Sequence, residues 1–207
     1  MPDGLDHDFP LFPLGLVALP GEYVPLHVFE ARYRTMIEEC LESELEFGIV
    51  WLTDSGLKPM GCACGIERVL ERMDDGRVNI LTRGTRPFDL VARTDARPYP
   101  AGTVRFVSDV VEDAEEEAGE RAHSVYAKLV ERATDRVLEP DELATMGAYA
   151  MAATVELELE PKQRLLELRS ENERLRLVAR LLEDALRRVD VDEIAEARAR
   201  TNGRVHH

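Results

Sequence analysis

The chain has 207 residues, 44% hydrophobic and 32% charged, with a formal charge of −15. That composition belongs to a folded protein able to bury one large core or two small ones, and excludes a disordered or membrane-spanning chain. A surface this acidic disfavours nucleic-acid phosphate and anionic lipid, and no apolar run approaches the roughly 20 residues that cross a bilayer. The opening "MPDGLDHDFP" lacks a basic start followed by an apolar stretch, so no signal peptide and a cytoplasmic location are expected. Cys40, Cys62 and Cys64 form no disulfide framework. "GCACG" has neither C-x-x-C spacing nor a second ligand pair, so Cys62 and Cys64 read as two small core residues on one face of a strand.

In chain order, "FPLFPLGLVALPGEYVPLHVFEARY" (residues 9–33) is apolar but broken by Pro10, Pro13, Pro20 and Pro25. Proline removes a backbone donor, so the stretch reads as short edge strands and turns that lead into a helix. In "EARYRTMIEECLES" the spacing of Tyr33, Met36, Ile37, Cys40 and Leu41 predicts an amphipathic helix with Glu30 at its positive end. "EFGIVWL" reads as a buried strand. "GIERVLERM" and "RVNILTRG" flank "DDG" at 74–76 as a hairpin, because Asp-Gly supplies positive φ. "PFDLVART" and "TVRFV" read as two more strands. Many short strands with one helix suggest a small, partly closed barrel.

"DVVEDAEEEAGE" (109–120) carries seven acids and no base. A run of this kind marks a solvated linker or a first helical turn. It is taken as the boundary between a β-rich lobe, 1–114, and a helical lobe, 115–207. In the second lobe, Ala122, Val125, Tyr126, Leu129 and Val130 form a helical stripe. "PDELATMGAYAMAATVEL" predicts one buried helix opened by Pro140. Residues 161–189 admit two readings. Leu165, Leu168, Asn172, Leu175, Ala179, Leu182, Leu186 and Val189 fit the heptads of a dimeric coiled coil. Ser170 with Glu173 instead forms a capping box that starts a second helix, giving 161–169 and 171–189. The wider apolar face of Leu166, Leu177, Val178 and Leu181 favours two helices packed in a globule.

"FPLFPLGLVALPGEYVPLHVFEARYRTMIEECLE" resembles the opening of the Lon protease N-terminal, or substrate-binding, domain family, whose pattern runs P-L-F-P-L, L-P-G, P-L-x-I-F-E-x-R-Y. The likeness continues through "MGCACGIERVLERMDDGRVNILTRGTRPFDL", with Pro87 and Arg86 ahead of Phe88, and through "PKQRLLELRSENERLRLVARLLEDAL". It covers roughly residues 9–188. The resemblance implies an α+β fold: a PUA-like mixed-strand pseudo-barrel with one helix, followed by a C-terminal helical bundle. It also implies a recognition domain without its machine. No G-x-x-x-x-G-K-[ST] loop is present, and Lys58, Lys128 and Lys162, the three lysines, sit beside no serine nucleophile. No enzyme activity, cofactor or metal is expected.

The function expected is a stand-alone, non-catalytic module that binds unfolded or exposed protein segments in protein quality control, with a protease or chaperone as a further partner. Substrate-binding candidates are Phe12, Leu14, Val17, Leu19, Tyr23 and Arg32. Core packing competes as the role of the first four, and Tyr23 is the better candidate for exposure. Glu30, Arg32 and Arg34 read either as a charged rim or as a helix cap with paired arginines. The alternatives are an RNA-binding module using Arg83, Arg86, Arg93, Arg97 and Arg105, against which the charge and sparse aromatics weigh, and a dimeric scaffold. The chain is expected to be a monomer or weak homo-oligomer. His206 and His207 are given no role.

Overall fold

The computed structural model describes the backbone of residues 4–202 and the side chains of residues 4–188, so Val189, His206 and His207 fall outside the described side chains. Its elements are β1 (Leu5–Leu14), β2 (Tyr23–Val28), α1 (Ala31–Ser43), β3 (Phe47–Thr53), β4 (Gly56–Leu57), β5 (Met60–Arg72), β6 (Val78–Thr94) and β7 (Ala101–Phe106), then α2 (Glu116–Thr134), α3 (Pro140–Ala144), α4 (Ala148–Ala152), α5 (Leu159–Glu167) and α6 (Glu171–Asn202).

The strand order is β1-β7-β6-β5-β3-β4, and β1 also pairs in parallel with β3, which closes five strands into a barrel. Inside it, Phe9, Leu11, Val50, Ala63, Phe88 and Val104 form one apolar cluster. The Phe9 ring meets Phe88 and Phe106 edge-on, each with centroids 5.6 Å apart. The opposite face of the sheet packs beneath α1 and the helices. There a second cluster runs without a break from Phe12, Tyr33 and Ile80 to Ala122, Met151, Leu165 and Leu182, so both halves of the chain share it.

β1 is not an edge strand, despite Pro10 and Pro13. Its first half pairs with β7 and its second with β3, so only one flank is engaged at each proline. β6 runs as one strand through Pro87 where two were expected. The Pro87 carbonyl accepts from Val107 N–H at 3.0 Å, just past the last residue of β7, so its absent donor falls at the end of a ladder. The hairpin at 74–76 is formed, with Gly76 at φ 82°. Cys62 and Cys64 point into the core together.

In the helical half, α2 lays its stripe on α6. The single helix expected over 140–157 is broken in two, and α3 buries none of its residues. Gly147 is the break. It is the N-cap of α4, the Glu171 carboxylate takes the Ala148 N–H at 2.7 Å, and a Cβ at Gly147 would lie 2.8 Å from Glu171 Oε1. Residues 168–170 separate α5 from α6, which overturns a continuous coiled coil. Ser170 Oγ accepts from Glu173 N–H at 3.1 Å. Asn172, in the first turn of α6, is buried and holds the 109–120 segment through Glu115 N–H and the Asp113 carbonyl. That acidic run is therefore no free linker. Glu112 accepts from Ser170 Oγ and Asn172 N–H, and Asp109 pairs with Arg174.

Candidate functional site

β2 joins the N-terminal half of β6, which pairs on its other side with the C-terminal half of β5. These three strands extend beyond the closed barrel. Their inner face is apolar: Val24, Leu26, Val28, Val78 and Ile80 are buried in the cluster that holds α1. Period-2 alternation puts Tyr23, Pro25, His27 and Phe29 on the outer face, and all four are exposed. Tyr23 is 53% exposed, Phe29 60% and Leu70 47%.

These side chains form a connected surface. The rings of His27 and Phe29 stack with centroids 5.8 Å apart, and the Arg83 guanidinium lies 5.6 Å from the Tyr23 ring centroid. His27 Nδ1 is 2.6 Å from Asn79 Oδ1, and Asn79 Nδ2 donates to Glu71 at 2.9 Å. Pro25, Leu26, His27, Leu70, Glu71 and Asn79 line a groove of about 520 Å³. A larger cavity of about 900 Å³ lies between α2, residues 154–158 and α6. It is rimmed by Arg136, Glu156, Glu158 and Arg188, and its described lining residues include none of the exposed large apolar side chains.

The six residues expected to bind substrate divide. Phe12 stacks on Tyr33 beneath α1, ring centroids 4.3 Å apart, and is buried. Val17 and Leu19 are buried because residues 15–22 fold back over the barrel, tied by Gly21 N–H to Gly84 O at 2.8 Å and Gly84 N–H to Glu22 O at 2.9 Å. Leu14 is half-buried against the same cluster. Phe12, Val17 and Leu19 thus present core, not surface. Tyr23 is on the outer face. Arg32 is exposed, pairs with Glu30 at 2.8 Å and lies over the Tyr33 ring at 4.6 Å. Glu30 occupies the N-cap of α1 but makes no capping hydrogen bond, because its carboxylate is turned to Arg32. The structure adds Phe29 and Leu70. Phe29 ends an alternation visible in "YVPLHVF". Leu70 does not show in the sequence, because register shifts between Ile66 and Arg68 and between Val69 and Glu71 break the parity of β5.

Three of the arginines considered for RNA contact face carboxylates. Arg86 pairs with Glu46 at 2.9 Å and lies over Phe106, Arg97 pairs with Glu39 at 2.9 Å, and Arg105 contacts Asp89 at 3.5 Å. Burial raises the Cys40 thiol to about 11 and pushes Cys62 well above its ordinary value, so both are held as neutral thiols. Among the described residues no group of three His, Cys, Asp or Glu side chains is placed to hold a metal ion, and no helix is long and apolar enough to cross a membrane.

The architecture is an α+β pseudo-barrel of mixed strands bearing a set of C-terminal helices, with Tyr23, Phe29 and Leu70 exposed among polar side chains on one sheet face. The family model for the ATP-dependent protease La (LON) substrate-binding domain matches residues 8–184, and the chain belongs to that family. It is 28% identical over 218 residues to a Lon protease of Xanthomonas oryzae pv. oryzae, an alignment covering 96% of this chain and 25% of that one. It is 26% identical over 140 residues to a Lon protease of Parabacteroides distasonis, covering 63% of this chain and 17% of the relative. The chain thus spans a quarter or less of these relatives. Among solved structures, the Lon N-terminal domain protein from Xanthomonas campestris superposes with a TM-score of 0.64 at 25% identity, covering 82% of this chain and 95% of that one. The N-terminal domain of the Mycobacterium avium complex Lon protease shares the fold, with a TM-score of 0.64 at 23% identity over 86% of this chain and 98% of that one.

Proposed function

We propose that this chain is a non-catalytic protein-recognition module that binds exposed apolar segments of unfolded proteins on the outer face of β2, β6 and β5, as part of cytoplasmic protein quality control. The observation that carries this is the strip of Tyr23, Phe29 and Leu70, all about half exposed on one side of a rigid sheet. Large apolar side chains grouped on a polar, highly charged surface mark a contact surface. The flanking Arg83, His27 and Glu71 supply hydrogen-bonding groups at its rim. Membership of a substrate-binding domain family supports the same reading, as do three free, buried cysteines suited to a reducing compartment. RNA is the weaker partner, because Arg86, Arg97 and Arg105 already face carboxylates.

The test is binding of reduced, iodoacetamide-alkylated α-lactalbumin, followed by fluorescence anisotropy at 0.15 M salt. Phe29→Asp and Leu70→Asp are expected to lose at least tenfold in affinity while their melting temperatures stay near wild type, since both side chains are exposed. Wild-type affinity in both variants would move the binding surface elsewhere. No binding of the probe by the wild-type chain would remove the proposal.

A further inference from the structure

The backbone of β2 carries information separate from its side chains. In an antiparallel ladder, alternate residues turn both N–H and C=O toward the partner strand. Val24, Leu26 and Val28 do so toward β6, in phase with Gly84 N–H, which donates to Glu22 O at 2.9 Å. Tyr23, Pro25 and His27 therefore turn their backbone groups outward. Among the described strands β2 pairs with β6 alone. None of the described turn or loop hydrogen bonds reaches Tyr23, Pro25 or His27. The outer edge offers the N–H and C=O of Tyr23, the C=O alone of Pro25, and the N–H and C=O of His27.

We infer that this edge takes up an extended segment of the bound protein as an added antiparallel strand. The inference rests on the protein-binding reading above and names its geometry. Unpaired donors and acceptors at every second residue are met by the backbone of another strand, which needs no particular sequence. Side chains of the incoming strand opposite Tyr23, Pro25 and His27 would lie on the outer face, next to the stacked His27 and Phe29 rings. A segment with apolar residues at alternate positions would therefore use edge and face together.

Pro25 selects the occupant. A second copy related by a two-fold axis would pair β2 antiparallel to itself. In the register that matches Tyr23 with His27, Pro25 meets Pro25, and each Pro25 carbonyl faces the partner's proline nitrogen, which carries no hydrogen, so the central pair makes no hydrogen bond. A foreign strand with an ordinary residue at that position supplies the N–H that Pro25 O accepts. The proline thus disfavours the two-fold register centred on Pro25 and leaves its carbonyl for the N–H of a client strand.

The test follows amide hydrogen exchange by NMR at Tyr23 and His27, with and without saturating reduced, iodoacetamide-alkylated α-lactalbumin. Both amides are expected to exchange rapidly in the free chain and to slow at least tenfold in the complex. Pro25→Ala, which restores a donor to the edge, is expected to bind the same probe about two- to tenfold more tightly and to self-associate in sedimentation velocity. Unslowed exchange with the probe bound would overturn the added strand and leave the apolar-face reading standing. Slow exchange in a free chain that sediments as a dimer would overturn it in favour of a second copy. Failure of the probe to bind would overturn both.

Discussion

Lys162 Nζ lies 2.5 Å from Glu22 Oε1, with side chains only 14% and 15% exposed. The pair joins the first turns of α5 to the residue that precedes β2. The other Glu22 oxygen accepts from Leu19 N–H at 2.8 Å, so one carboxylate holds both the fold-back of residues 15–22 and the docking of α5. Removing one partner of a buried pair leaves the other charge without compensation. Lys162→Met is expected to cost about 2–4 kcal/mol in urea unfolding. Adding Glu22→Gln removes the stranded charge, keeps an acceptor for Leu19, and should recover part of that loss.

The anchoring of the acidic segment makes stability depend on pH. Hydrogen bonds from Asn172 N–H and from Ser170 Oγ lower the Glu112 carboxyl below its ordinary 4.5. A carboxylate whose pKa is depressed by folding contributes stability that is present above the unfolded value and is lost as pH falls through the folded value. Between pH 6 and pH 3 the wild-type melting temperature should therefore fall more steeply than that of Glu112→Gln, with the two curves converging at the acid end. Parallel curves would mean that this anchor carries none of the acid sensitivity.

Gly84 has space for a hydrogen only. A Cβ there would lie 2.1 Å from the Leu19 carbonyl oxygen and 3.2 Å from Cys62 Sγ. The nearest obstacle is backbone, which cannot rotate aside. Gly84→Ala is expected to destabilise by about 1–3 kcal/mol in urea unfolding. It should also weaken probe binding, because displacing Leu19 shifts the entry to β2.

The three thiols should be silent in the native chain. Cys40, Cys62 and Cys64 are each 2% exposed or less, and burial raises Cys40 to about 11. The thiolate is the reactive form, so at pH 8 a disulfide reagent should modify none of them rapidly, and all three should react once denaturant is added. A fast-reacting native thiol would show that the core between the sheet and the helices opens locally.

Much of the fold could be read from local chemistry. The spacing of Tyr33, Met36, Ile37 and Cys40 specifies one helical face, and all four are buried in α1. The Asp-Gly turn is set by the backbone freedom of Gly76, and the start of α6 by Ser170 and Glu173. Each of these depends on residues within a few positions of one another. The break of 140–157 at Gly147 depends instead on Glu171, which is close only in the folded chain and fills the space a side chain would need.

The candidate site divides in the same way. By itself the sequence determined that Phe12 and Tyr23 both belong to an apolar, proline-broken stretch of short strands and turns. What covers each face was decided by tertiary structure alone. β1 is clasped by β7 and β3, with α1 above it, so Phe12 is buried. β2 is covered on its inner face and bare on its outer one, so Tyr23 is exposed. Alternation records that a strand has two sides. Whether a second layer or solvent meets each side depends on contacts between residues far apart in the chain, which no local pattern encodes.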